Sequence, residues 1–155
     1  MGEIKIRRAR AADVESIVRM LADDQLGATR ESTADLAPYL RAFELIEADP
    51  NQLLVVAEDA GEPVGTLQLT IIPGLGRGGA LRGQIEAVRV RAGHRGTGLG
   101  ERLVRWAIAE SRRRGCALVQ LTSDVSRTAA HRFYQRLGFT ASHTGFKLPL
   151  PADGQ

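Results

Sequence analysis

From Ile85 to Gly100 the chain reads Ile85-Glu-Ala-Val-Arg-Val-Arg-Ala-Gly-His-Arg-Gly-Thr-Gly-Leu-Gly100. The first half has the pattern of a strand over residues 84–91, and the second half sets Gly96, Gly98 and Gly100 behind Arg95. Leu99, Leu103 and Trp106 then recur at helical spacing, so an arginine-rich amphipathic helix is predicted over residues 98–114, closed by Gly115. Glycines take positive φ and let a ligand approach the main chain. The unpaired amides of the helix's first turn, aided by its dipole, attract an anion, and a pyrophosphate fits that space. Arg95 places a forked cation at the mouth. A Walker loop would end in Gly-Lys-Ser/Thr, but Glu101 and Arg102 follow Gly100. A dinucleotide fingerprint would want Gly or Ala in place of Glu101. Gly74-Leu-Gly-Arg-Gly-Gly79 matches Gly-x-Gly-x-x-Gly by letter, but it leads into a strand and lacks the helix amides.

Upstream, residues 3–9 alternate Ile4 and Ile6 with Lys5 and Arg7 as a first strand. Val14, Ile17, Val18 and Leu21 mark a helix behind Asp13, and Leu36, Leu40, Phe43 and Ile46 mark a second that stops before Pro50. Residues 53–57 and 64–72 form a hairpin about Ala60-Gly61. Downstream, residues 117–122 read as a strand, 127–137 as a helix closed by Gly138, and 139–148 as a final strand or pair. Antiparallel strands followed by a strand–helix–strand unit make a mixed α/β domain over residues 1–150, with 151–155 as a flexible tail.

The bulk properties bound the function. At 155 residues the chain holds one ordinary core, and 43% apolar with 25% charged residues is a globular balance. No apolar run reaches the roughly 18 to 20 residues of a membrane span, and no signal segment opens the chain. The single Cys116 closes no internal disulfide, so a cytoplasmic location is expected. A net charge of +3 without interleaved aromatics argues against nucleic acid as a partner. His94, His131 and His143 lack ligand spacing, so no metal is expected.

With these residues in view, the chain resembles the GNAT superfamily of acetyl-CoA-dependent N-acetyltransferases. Arg95-Gly-Thr-Gly-Leu-Gly100 meets its Arg/Gln-x-x-Gly-x-Gly/Ala signature, and Ala130-His-Arg-Phe-Tyr134 before Gly138-Phe139 meets its second motif. The resemblance implies a central, mostly antiparallel sheet of about six to seven strands, flanked by about four helices and splayed at the centre. It implies acetyl-CoA as cosubstrate, held by the main chain of Val88 and Val90 and by Arg95, Gly96, Thr97, Gly98, Leu99 and Gly100. Where relatives often carry Asn this chain has Arg127, which cannot accept a hydrogen bond, so that contact is lost or remade to a phosphate.

For chemistry, the resemblance implies Glu86 as the base that takes the amine's proton and Tyr134 as the acid that protonates the departing thiolate. Strand alternation would set Glu86, Val88 and Val90 on one face. Cys116 reads as a packing residue and His131 as a neighbour of Tyr134 on one helix face. Acceptor recognition falls to residues 25–33, 73–83 and 142–147, which name no particular small-molecule or peptide amine. A homodimer is expected from the resemblance. The alternative is a catalytically silent acyl-CoA-binding or regulatory module, against which the joint presence of Glu86 and Tyr134 argues.

Overall fold

The computed structural model describes residues 2–152, so of the tail expected at 151–155 the last three residues lie outside the described residues. The chain forms two compact units that divide between Leu121 and Thr122. The first runs β1 (Lys5–Arg8), a 3-10 turn (Ala11–Asp13), α1 (Val14–Ala22), α2 (Gly27–Arg30), α3 (Ala37–Ala48), β2 (Gln52–Asp59) and β3 (Glu62–Ile72). It continues with α4 (Gly76–Gly79), β4 (Leu81–Val90), a second 3-10 turn (Ala92–His94), α5 (Leu99–Arg113) and β5 (Cys116–Gln120). The second unit holds α6 (Thr128–Arg136).

Among the described residues, five strands lie in the order β1-β2-β3-β4-β5. The first three junctions are antiparallel and β4–β5 is parallel, which is why α5 must carry the chain back along the sheet. Ala60 and Gly61, both at positive φ, close the β2–β3 hairpin in the manner such two-residue turns require. One face of the sheet lies against α5. A Cβ on Gly83 would fall 2.4 Å from Ser111 Oγ, and one on Gly65 would fall 3.0 Å from Leu103 Cδ1. Only hydrogen at these positions lets the helix come so close. Leu67, Leu69 and Ile85 fill the same face and are buried. On the opposite face Ile17 and Met20 of α1 pack on Val56, while Val14 and Val18 pack with Phe43 of α3 and half-buried Leu54.

The expected mixed α/β fold stands, with four helices of nine residues or more and two single turns among the described residues. The sheet has five strands instead of six to seven, because residues 139–148 form no strand among the described residues. A strand exists only through its ladder, and between Thr140 and Gly145 the segment offers Ala141 as its one apolar side chain. Within the second unit, Gly138 at φ 100° ends α6, and the Tyr134 carbonyl accepts from Phe139 N–H at 3.1 Å.

Beside the first strand, Arg7 donates to both Asp13 carboxylate oxygens at 2.7 and 3.0 Å and to Glu58 at 3.2 Å. The guanidinium holds the buried Asp13 carboxyl below the usual carboxylate range, against the opposing effect of burial. A depressed carboxyl stabilises the fold above its ordinary value, near 4, and that contribution disappears as pH falls through the lowered folded-state value. Asp13→Asn should therefore cost about 3 kcal/mol at neutral pH. Urea unfolding followed from pH 7 to pH 2 should also show a flatter acid loss than the wild type.

Candidate active site

Strand β4 keeps β5 as its neighbour only from Leu81 to Gln84, where the last rung joins Gln84 to Gln120. Beyond it β5 ends and β4 continues through Val90 with that edge unpaired to β5. This open edge lies where the resemblance implies a splay. Which groups face the opening follows from the other edge. Arg91 N–H bonds Val64 C=O at 2.8 Å, so its neighbour Val90, opposite Gly65, turns its peptide groups away from β3. Val88 lies two residues earlier, in the interval between Glu86 and Arg89 where the register with β3 shifts. Both carbonyls receive side-chain donors, Val90 from Arg95 Nε at 3.1 Å and Val88 from Arg89 Nη1 at 2.9 Å.

Alternation does not run unbroken through β4. Ala87 sits at φ 54°, and three steps of β4, from Glu86 to Arg89, face two steps of β3, from Gln68 to Thr66. The extra residue is a β-bulge. Glu86 therefore shares its face with Arg89, and Val90 lies with Ile85 on the face toward α5, correcting the expectation that Glu86, Val88 and Val90 share one face. Glu86 is exposed and accepts from Gln84 Nε2 at 2.9 Å.

The loop after β4 is built as its glycines suggested. Gly96 and Gly98 stand at φ 76° and 85°, and among the described residues no atom beyond the adjoining residues lies within 4 Å of where their Cβ would be. Gly98 is the N-cap of α5, and no side chain caps that helix's first amides. With Thr97, Leu99 and Gly100 they form a cradle that is open and anion-seeking. Thr97 Oγ1 donates to His94 C=O at 2.6 Å, and His94 Nε2 donates to Asp59 at 3.0 Å, fixing the loop to the end of β2. The His94 bond holds the Asp59 carboxyl below its usual value.

Two acidic residues passed unremarked in the sequence. Arg95 Nη2 bonds the carboxylate of Asp23 at 3.1 Å, and Arg89 pairs with Asp24 at 3.2 Å. The segment after α1 is thus tied by two adjacent aspartates, Asp23 to the loop after β4 and Asp24 to β4 itself. Gln84 and Gln120 were also missed. Gln84 could have been found, since it stands two residues before Glu86 on an alternating strand. Gln120 could not, because only the β4–β5 register brings it there.

Tyr134 and Arg127 belong to the second unit. Tyr134 contacts Phe133 and Phe139 edge-on, with ring centroids 5.1 and 5.8 Å apart. Arg127 precedes α6 and its N–H bonds Asp124 C=O at 3.0 Å. His131 Nε2 donates to the same carbonyl at 2.8 Å, a structural use of that ring. Burial pushes the Cys116 thiol up, so at neutral pH it is a poor nucleophile.

Comparison with known proteins agrees with this geometry. The model of the acetyltransferase (GNAT) family matches residues 15–139. An aminoalkylphosphonate N-acetyltransferase of Salmonella typhimurium is 29% identical over 150 residues, covering 97% of this chain and 94% of that protein. A glucosamine 6-phosphate N-acetyltransferase of Trypanosoma brucei brucei is 33% identical over 146 residues, covering 88% of this chain and 97% of its own. A crystal structure described as a transcriptional regulator from Bacillus halodurans C-125 superposes with a TM-score of 0.92 at 46% identity, over 96% of this chain and all of that one. A sheet in which β4 outruns β5, a glycine loop at a helix N-terminus and a family match over most of the sequence converge: the chain belongs to the acetyltransferase (GNAT) family and is an N-acetyltransferase.

Proposed function

We propose that residues 1–150 act as one catalytic domain that transfers acetyl from acetyl-CoA to the primary amine of a small molecule carrying an anionic group, by direct attack in a ternary complex. The observation that carries the cosubstrate is the open glycine cradle at the N-terminus of α5, beside a β4 edge whose Val90 peptide turns outward. Gly96 to Gly100 hold the pyrophosphate with their amides. Val88 and Val90 meet the pantetheine arm with main-chain groups, and an N–H near Val90 stabilises the oxyanion that forms at the carbonyl. Glu86 takes a proton from the amine, freeing its lone pair to attack the thioester carbon. The C–N bond forms, the C–S bond breaks, and the thiolate takes its proton from the Tyr134 phenol. Tyr134 enters this scheme, as Arg127 does for phosphate contact, by its motif position alone.

The acceptor class rests on two supports. Both named relatives act, by their names, on an amine that carries a phosphonate or a phosphate. Arg82 is half-buried on the face of Gln84 and Glu86, and among the described residues no carboxylate stands within ion-pair distance of it. Four residues of strand separate Arg82 from Glu86, roughly 13 Å, a span that an extended arginine shortens to the size of a small molecule. A cytoplasmic homodimer remains part of the proposal. A second reading, an acyl-CoA-binding regulatory module, is favoured by the description of the 46% identical structure as a transcriptional regulator.

Calorimetric titration with acetyl-CoA, and with NAD as control, tests the cradle. Wild type should bind acetyl-CoA alone, and Gly98→Val, forced from φ 85°, should bind it at least about tenfold more weakly. Turnover of acetyl-CoA across an amine panel separates enzyme from silent binder. With 2-aminoethylphosphonate, Arg82→Ala should raise the acceptor KM about tenfold and leave the KM for acetyl-CoA unchanged, consistent with loss of one charged contact. Tyr134→Phe should lower kcat about a hundredfold with little change in acetyl-CoA affinity, the usual weight of a general acid. Normal turnover in that variant removes Tyr134 from the mechanism.

A further inference from the structure

We infer that Gln84 and Gln120 are positioning residues: a directed amide relay, seated where β4 and β5 part, that aims the Glu86 carboxylate. The inference rests on Glu86 being the base. Gln120 Nε2 donates to Gln84 Oε1 at 3.0 Å, and Gln84 Nε2 donates to Glu86 Oε1 at 2.9 Å. Gln84 and Gln120 face each other across the last rung of the parallel pair, and both are half-buried.

The direction of the relay follows from chemistry. An ionised carboxylate only accepts, so Gln84 must present its NH2 group to Glu86, which leaves its oxygen for the partner. Gln120 fills that role with its own NH2. Each amide is thereby oriented by the next, and one oxygen of Glu86 is held while the other is left to receive a proton. An exposed glutamate on a strand otherwise explores many rotamers, and a base must stand within hydrogen-bond reach of the proton it removes. Neutral amides carry no proton through the relay. Their part is orientation, and it is exerted from the point of the fold where the opening between strands begins.

The same face offers an internal comparison. Gln68 Nε2 and Thr70 Oγ1 both donate to Gln52 Oε1, at 2.9 and 3.0 Å. This second polar cluster spans β2 and β3 and makes no bond to Glu86. Loss of the Gln52 amide removes a similar interaction from the same face without touching the base.

The test compares Gln84→Leu, Gln120→Leu, Glu86→Gln, the double variant Gln84→Leu/Glu86→Gln and the control Gln52→Leu, with acetyl-CoA and 2-aminoethylphosphonate as probes. Gln84→Leu and Gln120→Leu should each lower kcat about tenfold, the weight of one hydrogen bond to a charged group, with the KM for acetyl-CoA within about twofold. Gln52→Leu should keep the wild-type kcat. In the Glu86→Gln background, Gln84→Leu should cost nothing further, because its effect acts through the carboxylate. Gln120→Glu keeps the size of the side chain but draws the Gln84 NH2 toward itself, turning the Gln84 oxygen on Glu86, and should be slower than Gln120→Leu. Independently of any acceptor, the Gln84 side-chain NH2 signals in nitrogen-15 NMR should move in Glu86→Gln and in Gln120→Leu and stay in Gln52→Leu. Wild-type kcat in Gln84→Leu while Glu86→Gln is slow overturns the relay, as does the same loss in both backgrounds or an unmoved NH2 signal. Wild-type kcat in Glu86→Gln overturns the base itself, an outcome readable apart from the others.

Discussion

A strand that loses its neighbour halfway along must find other partners for its peptide groups, because buried main-chain donors and acceptors do not go unmatched. Strand β4 meets this demand in two ways after Gln84. It keeps β3 along one edge, with a bulge at Ala87 that resets the faces. On the other, Arg89 and Arg95 lend side-chain donors to the carbonyls of Val88 and Val90. Those arginines are in turn held by Asp24 and Asp23. The open edge of β4 and the anchoring of the loop after α1 are therefore both tied to one early ending of β5.

Helix α5 is bound to the same sheet by absence of side chain. Gly65 and Gly83 let α5 approach until Leu103 and Ser111 meet the backbone of the strands. Its far end is fixed by charge, since Arg113 and then Arg114 lower the Glu110 carboxyl to about 2. Arg114 also reaches Pro50 C=O at 3.1 Å, which joins the helix end to the approach of β2. The first turn of α5 is thus positioned from its body and its tail, while no side chain caps its leading amides.

Much of this was legible in the residues. Glycine spacing behind Arg95 and the helical period of Leu99, Leu103 and Trp106 specify strand, cradle and helix without reference to anything distant. The hairpin at Ala60-Gly61 is equally local. What escaped depends on register. No pattern within residues 84–91 announces that Ala87 will take positive φ, because the bulge is a mismatch between two strands and belongs to neither alone. The pairing of Gln84 with Gln120 and of Arg95 with Asp23 likewise joins residues far apart in sequence. The strand expected over residues 139–148 is absent for a related reason: a local pattern makes a strand only where a second one pairs with it.

The two aspartates after α1 sit in different surroundings. Arg95 and Asp23 are about half exposed, at 52% and 57%, whereas Arg89 and Asp24 keep only 14% and 20%. Mobile ions screen the first pair readily and the second much less, since the Debye length shortens only where solvent reaches. The joint between cradle and loop is therefore graded in ionic strength: one half loosens as salt rises while the other holds, so the loop gains play without coming away from the sheet.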